Sequence, residues 1–310
     1  MIKAWLAAAR LRTLPLSISG IIVGCAMANF SVFDNEHPGL IQFYVGKTNY
    51  LIFILAILTT VGFQVLSNFA NDYGDGIRGT DDDREGEQRM VASGIISPKQ
   101  MKNAMIYTAI ITLILALLVI YVAFGSENFN YSVLFFFLGI TSIIAAVKYT
   151  VGKSAYGYSG LGDIFVFLFF GWLSVVGSFF LYTKNLNFDI FLPATAIGLL
   201  SAAVLNLNNM RDRIKDKSHG KNTLVVKIGS QYAKLYHYCL ILGALACSLF
   251  YVYIRGKYSI QHYIFLIAFI PLVMNMVVVG KNIIHRELDP ELKKVALSTF
   301  LYAILFAIFN

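Results

Sequence analysis

Apolar stretches about twenty residues long recur along this chain, separated by short clusters of charge. A helix needs roughly 20 apolar residues to cross about 30 Å of hydrocarbon. Runs of that kind occupy residues 14–33, 51–70, 104–124, 132–148, 163–183, 191–210, 236–254, 262–280 and 295–309. The pattern predicts an all-α, polytopic membrane protein with nine transmembrane helices. The connections at 125–131 and 184–190 are short, so their flanking helices are expected to be antiparallel neighbours. Length is spent instead in the polar stretches 71–103 and 211–235. Loops longer than a connection requires tend to carry binding or catalysis.

Basic residues give the chain a direction, because Lys and Arg resist translocation and collect on the cytoplasmic side. With a cytoplasmic N-terminus, the inner segments hold 21 of the 25 basic residues, and the outer ones hold Lys47, Lys184, Arg255 and Lys257. One span more or fewer would invert everything downstream, so the split supports both the orientation and the count. A hydrophobic share of 57% and a mean hydropathy of +0.67 exclude a soluble domain. The net charge of +8 resides in the inner segments, where membrane lipid with anionic headgroups attracts it, and no nucleic-acid partner is implied. Cys25, Cys239 and Cys247 fall inside predicted spans without metal-ligand spacing and are read as small apolar residues. Residues 1–28 imitate a cleavable signal peptide, ending in Ala26-Met27-Ala28, yet an uncleaved first helix is expected.

A polar signature occurs twice, as Asn68-x3-Asp72-x2-Asp75 and Asn208-x3-Asp212-x3-Asp216, each at the inner end of an even-numbered span. The repetition suggests one domain over residues 1–310 in which spans 1–4 and 5–8 correspond and span 9 is an addition, with the active site between the halves. Helical spacing puts Asn68, Asn71, Asp72 and Asp75 on one face, and Asn208, Asp212 and Asp216 on another. A carboxylate at the centre of a spanning helix costs about 2.5–3.5 kcal/mol, so a cluster of them calls for a compensating cation. Magnesium is the usual one where phosphate is present. Asn68, Asp72, Asp75, Asn208, Asp212 and Asp216 are the candidate metal ligands, and the four carboxylates, together with Tyr149 of a later segment, are the candidate catalytic groups. Merely polar helix ends would explain one copy, but two copies on one side favour a site.

After the first stripe, Gly74–Asp83 is read as a flexible turn from which Asp81 or Asp82 returns to the metals, with Asp83, Glu85 and Glu87 solvated. Arg78, Lys217 and Lys221 are candidates to cap diphosphate oxygens. A third inner segment, residues 148–163, combines Lys148, Lys153, Tyr149, Tyr156 and Tyr158 with several glycines. Glycine lets backbone approach a ligand, and tyrosine rings either face a developing carbocation or anchor the chain at the interface. Tyr158 is assigned to anchoring, and both readings stand for Tyr149 and Tyr156. His219 is expected to be solvated, and no residue declares itself as a base.

The chain resembles the UbiA superfamily of intramembrane aromatic prenyltransferases. The resemblance rests on Arg12-Thr13-Leu14-Pro15-Leu16-Ser17, on Leu66-Ser67-Asn68-Phe69-Ala70-Asn71-Asp72-Tyr73-Gly74-Asp75-Gly76, on Tyr156-Gly157-Tyr158-Ser159-Gly160-Leu161-Gly162-Asp163, and on Leu205-Asn206-Leu207-Asn208-Asn209-Met210-Arg211-Asp212 with Asp216 and Gly220-Lys221-Asn222-Thr223-Leu224. It implies nine helices around a central cavity that opens laterally to lipid, in the inner membrane, with the active site facing the cytoplasm. It implies Mg²⁺-dependent transfer from a polyprenyl diphosphate to 1,4-dihydroxy-2-naphthoate, with loss of CO₂ and diphosphate, giving demethylmenaquinone. In that scheme the six candidate ligands hold Mg²⁺ on the diphosphate, and Arg78 and Lys148 assist, with Asn71, Lys153, Lys217 and Lys221 also at the substrate. Tyr149 and Tyr156 line the pocket and Arg12 faces the acceptor carboxylate. Two departures stand out: Gly76 occupies the position of the family's last carboxylate, leaving Asp75 and Asp81 both open as third ligand, and a proline expected near 153–155 is absent. The acceptors 4-hydroxybenzoate and homogentisate remain alternatives. A divalent-cation transporter is the alternative of another class, disfavoured because these carboxylates end helices and do not sit at the midplane.

Overall fold

The computed structural model describes residues 1–33, 47–79, 89–152 and 155–310. Lys153 and the acidic residues Asp81, Asp82, Asp83, Glu85 and Glu87 lie outside the described residues. Among those described, nine helical segments are long and apolar enough to cross a membrane.

A short α1 (Ile2–Ala9) precedes α2 (Leu14–Phe33), the first span. The second to fourth spans are α3 (Lys47–Arg78), α4 (Pro98–Phe124) and α5 (Phe129–Lys148). The fifth is built from α6 (Gly162–Val166), a π-helical segment (Phe167–Leu173) and α7 (Ser174–Thr183). The sixth and seventh are α8 (Phe191–Ser218) and α9 (Leu224–Ile254). The eighth joins a 3-10 segment (Ile260–Ala268) to α10 (Phe269–Lys281), and α11 (Asp289–Phe309) is the ninth. Local chemistry sets several boundaries. At the start of α4, the Ser97 hydroxyl accepts from the Gln100 N–H and the Gln100 side chain accepts from the Ser97 N–H, with Pro98 in the first turn. Gly229, at φ 80°, kinks α9 just after its start.

Helix α3 runs against α4, and α8 runs against α9. Helix α2 lies between α7 and α11. The largest buried apolar cluster belongs to the later spans and includes Leu200, Phe265, Tyr302 and Phe306. Small residues permit the tight crossings. A Cβ on Gly171 would fall 2.6 Å from the Ala194 carbonyl oxygen, so only glycine lets α8 come this close to the π segment.

Two ends of the bundle are distinct. At one, the Asn222 N–H donates to the Tyr158 carbonyl at 3.0 Å and Arg211 meets Asp289, joining the segments read as inner. At the other, Arg255 meets Asp189 at 3.5 Å and Lys257 meets the carbonyl of Asn310.

Three local expectations are corrected. Gly74 and Gly76 lie inside α3, not in a flexible turn: Cβ atoms there would fall 2.8 Å from the Thr150 carbonyl and 2.7 Å from Val91, so these glycines serve close packing. Residues 211–235 are mostly helix, with only His219–Thr223 connecting α8 to α9, because helical spacing of polar residues continues the helix past the end of the apolar run. Helix α1 was not foreseen; it turns into α2 through Arg10 at φ 48° and a 3-10 turn.

Candidate active site

A cavity of about 350 Å³ is enclosed chiefly by the first five spans, with Ser17 and Ile21 on α2, Phe63 and Gln64 on α3, Val119 on α4 and Phe135 on α5 among its walls. Its remaining walls come from the fifth span, and Leu205 of α8 reaches its edge. Asn68, Asn71, Tyr149 and Tyr156 line it.

From this region an aromatic ladder descends. Tyr149 meets Tyr156 edge-on at 5.3 Å, Tyr156 stacks on Phe165 at 4.0 Å, and Phe165 stacks on Phe169 at 6.1 Å. The Tyr156 hydroxyl donates to the Ala145 carbonyl at 2.8 Å, which holds the ladder to α5. Loss of water around its phenol pushes Tyr149 up to about 12; Asp163, Asp75 and Asp216 act in the same direction and Lys221 opposes them.

The two acidic stripes meet beside Tyr149 through Lys221 and Tyr158. Buried Asp75 accepts the Tyr158 hydroxyl hydrogen at 2.7 Å. Asp216 lies 3.7 Å from the Lys221 ammonium. Burial alone lowers Lys221, but Asp75 and Asp216 outweigh it and hold the ammonium protonated beyond the usual lysine range. The Tyr158 ring carries the Arg78 guanidinium 4.1 Å from its centroid and the Lys221 ammonium at 5.4 Å. Arg78 also donates to the Gly152 carbonyl. Tyr158, assigned to anchoring from sequence, therefore sits where the two stripes approach; its place within the glycine-rich third segment was the available signal. Asp163, buried at the start of α6, also went unassigned.

Other candidates are engaged differently. Both Asp72 oxygens accept main-chain hydrogens, from Met90 at 3.1 Å and Val91 at 2.9 Å. The Asn68 amide donates to the Ala9 carbonyl at 2.8 Å and the Thr13 hydroxyl at 3.3 Å, and its oxygen accepts from Gln64 at 3.2 Å. Asn71 accepts from the Thr150 hydroxyl at 3.1 Å. Asp212 is gripped at both oxygens by Arg211, at 2.8 and 2.7 Å, and Arg211 also reaches Asn208 at 2.7 Å and Asp289 at 2.5 Å. Neither Arg211 nor Asp289 was singled out from sequence, because a lone Arg beside an acidic motif looks like any inner basic residue. Lys148, Lys217 and Arg12 are exposed, and none of them lines the cavity.

Among the described residues, no three His, Cys, Asp or Glu side chains gather as a metal cluster. What gathers is a pair of carboxylates about one lysine: Asp216 lies 3.7 Å from the half-buried Lys221 ammonium, and Asp75 is bonded to Tyr158, whose ring centroid is 5.4 Å from that ammonium. Such a pair fits Mg²⁺, which commonly takes one or two carboxylates and fills its remaining positions with water and phosphate. Asp72, with both oxygens turned to main chain, does not belong to that pair.

A second hollow of about 480 Å³, lined by Leu134, Leu168, Trp172 and Leu186 among others, adjoins the first. The two share Phe135, Leu138, Phe165, Phe169, Leu173 and Gly177. It lies between the fourth and fifth spans, and its lining is almost wholly apolar.

A model described as the UbiA prenyltransferase family matches residues 7–307. A 1,4-dihydroxy-2-naphthoate octaprenyltransferase of Escherichia coli (strain K12) is 42% identical over 290 residues, covering 93% of this chain and 87% of its own. One of the same description from Haemophilus influenzae is 38% identical and covers 99% of this chain and 95% of its own. The structure of a UbiA homolog from Archaeoglobus fulgidus bound to GPP and Mg²⁺ superposes with a TM-score of 0.66 at 14% identity, over 98% of this chain and 99% of that one.

Proposed function

Because the chain belongs to the UbiA prenyltransferase family, we propose that it transfers a polyprenyl group from polyprenyl diphosphate to 1,4-dihydroxy-2-naphthoate, releasing CO₂ and diphosphate and forming demethylmenaquinol, the reduced form of demethylmenaquinone. The named relatives support this donor and acceptor. The observation that carries the site assignment is the junction of the two stripes, where Tyr158 bonds Asp75 and stands 5.4 Å from the Lys221 ammonium, itself 3.7 Å from Asp216. We assign the donor diphosphate to this cluster. Asp75 and Asp216 would hold Mg²⁺, which supplies positive charge against the oxygens of the departing diphosphate. Lys221 and Arg78 add fixed positive charge beside it.

Cleavage of the carbon–oxygen bond leaves an allylic cation. The faces of Tyr149, Tyr156 and Phe165 shelter it from water and favour its charge. Tyr149 keeps its proton there, as burial demands, so its part is to present a ring and not to act as a base. The acceptor ring fits the chamber beside Ser17, Gln64 and Asn71. It forms the new carbon–carbon bond from an electron-rich ring carbon and gives up its carboxylate as CO₂, leaving that electron pair in the ring. The prenyl tail follows the apolar hollow between the fourth and fifth spans toward lipid. With the basic ends of the helices inside, the site faces the cytoplasm from the inner membrane.

The test is product identification by mass spectrometry from membranes given a polyprenyl diphosphate with dihydroxynaphthoate, 4-hydroxybenzoate or homogentisate. Magnesium-dependent demethylmenaquinol from the first acceptor is expected, detected as such or as the quinone that air oxidation makes of it. A preferred product from either other acceptor overturns the assignment.

A further inference from the structure

We propose that Gly177 sets which donors the enzyme accepts by chain length, by keeping open the passage from the inner chamber to the lipid-side hollow. This rests on the prenyl-transfer reading above. Phe165, Phe169, Leu173 and Gly177 recur every fourth residue along the fifth span, and all four border both hollows. They form a single seam facing Phe135 and Leu138 on α5. Three members of the seam carry large apolar side chains that close the wall; Gly177 carries none.

The glycine is not explained by packing. On the same span a Cβ at Gly171 would collide with backbone at 2.6 Å, whereas a Cβ at Gly177 would meet only Leu173 Cδ1, at 3.8 Å, an ordinary contact. A larger residue therefore fits here without disturbing a helix crossing, and its bulk projects into the passage. The inner chamber, at about 350 Å³, is at the lower end of small-molecule sites, which span about 300–1,000 Å³. An aromatic acceptor together with the reacting prenyl unit leaves it little spare room. A long tail has to leave through the seam, and a short one does not.

The experiment compares geranyl diphosphate with octaprenyl diphosphate as donors to dihydroxynaphthoate, using the full-length protein in wild-type, Gly177→Ala, Gly177→Leu and Leu138→Phe forms. The last narrows the same passage from the facing helix and keeps the test alive if one variant folds poorly. Gly177→Leu and Leu138→Phe are each expected to lower kcat/KM for the octaprenyl donor, relative to the geranyl donor, by about tenfold or more, in the range that a blocked apolar pocket gives. Gly177→Ala is expected to fall between these and wild type. An unchanged ratio, or an equal fall for both donors, overturns the gate. Failure of the wild-type protein to prenylate dihydroxynaphthoate with either donor overturns the functional reading beneath it.

Discussion

Tyr158 donates its hydroxyl hydrogen to Asp75 at 2.7 Å, tying the segment before the fifth span to the acidic stripe of the second. Tyr158→Phe keeps the ring beneath Arg78 and removes only this donor. A hydrogen bond to a charged group contributes about 1.5–3 kcal/mol net. The variant is expected to lose about ten- to a hundredfold in kcat/KM for the donor, read by steady-state prenyl transfer. Unaltered kinetics would remove Tyr158 from the site.

Asp72 and Asp75 are separated by three positions and by partner: main-chain N–H groups for the first, the Tyr158 hydroxyl for the second. Asp72→Ala strands two buried main-chain N–H groups, at about 1–3 kcal/mol each. It is expected to lower the thermal midpoint in detergent and to lose activity as a consequence. Asp75→Asn is expected to unfold near the wild-type temperature yet lose about a hundredfold or more in kcat, with a higher magnesium concentration needed for half-maximal rate. Equal thermal losses in the two variants would contradict this division.

Tyr149 supplies a pH test. Its folded-state value lies near 12 against an ordinary 10.0, so the folded site favours the neutral phenol. That preference is fully present below pH 10 and is lost as the pH rises through about 12. No step in the activity profile between pH 6 and 9 is expected to vanish in Tyr149→Phe. Disappearance of one would show that the phenol ionises in turnover.

Arg211 binds Asp212, Asn208 and Asp289 with one planar guanidinium. Lysine cannot reproduce that fork. Since the Asp289 side chain is 46% exposed, Arg211→Lys is expected to cost about 1–2 kcal/mol of stability, less than a fully buried pair. Thermal unfolding checks this, and Asp289→Asn is expected to show a smaller loss in the same direction.

Hydropathy alone located the nine spans, because a stretch that must cross hydrocarbon has a length fixed by the membrane. The acidic stripes were legible for a related reason: spacings of three and four survive as a face on any helix. Their ends were not legible. Helix α3 runs on to Arg78 and α8 to Ser218, since polar residues leave the apolar run without leaving the helix. Which carboxylates turn to the site and which to main chain depends on partners distant in sequence. Asp72 meets Met90 and Val91, Asp75 meets Tyr158, and Asp212 meets Arg211, itself tied to Asp289. Identical residue types thus received different duties from neighbours that no local pattern announces.

The π-helical stretch Phe167–Leu173 also gives the fifth span slack in its length. Removing one residue from these seven would let the turn close into ordinary α-helix, leaving Gly177 on the seam and Ser178 beside Gly24 of α2 in their present phase. A deletion in the α-helical parts of the same span has no such slack and would turn everything downstream by about 100°, rewiring the whole wall at once. Loss of a single residue should therefore be better tolerated within Phe167–Leu173 than anywhere else along the fifth span.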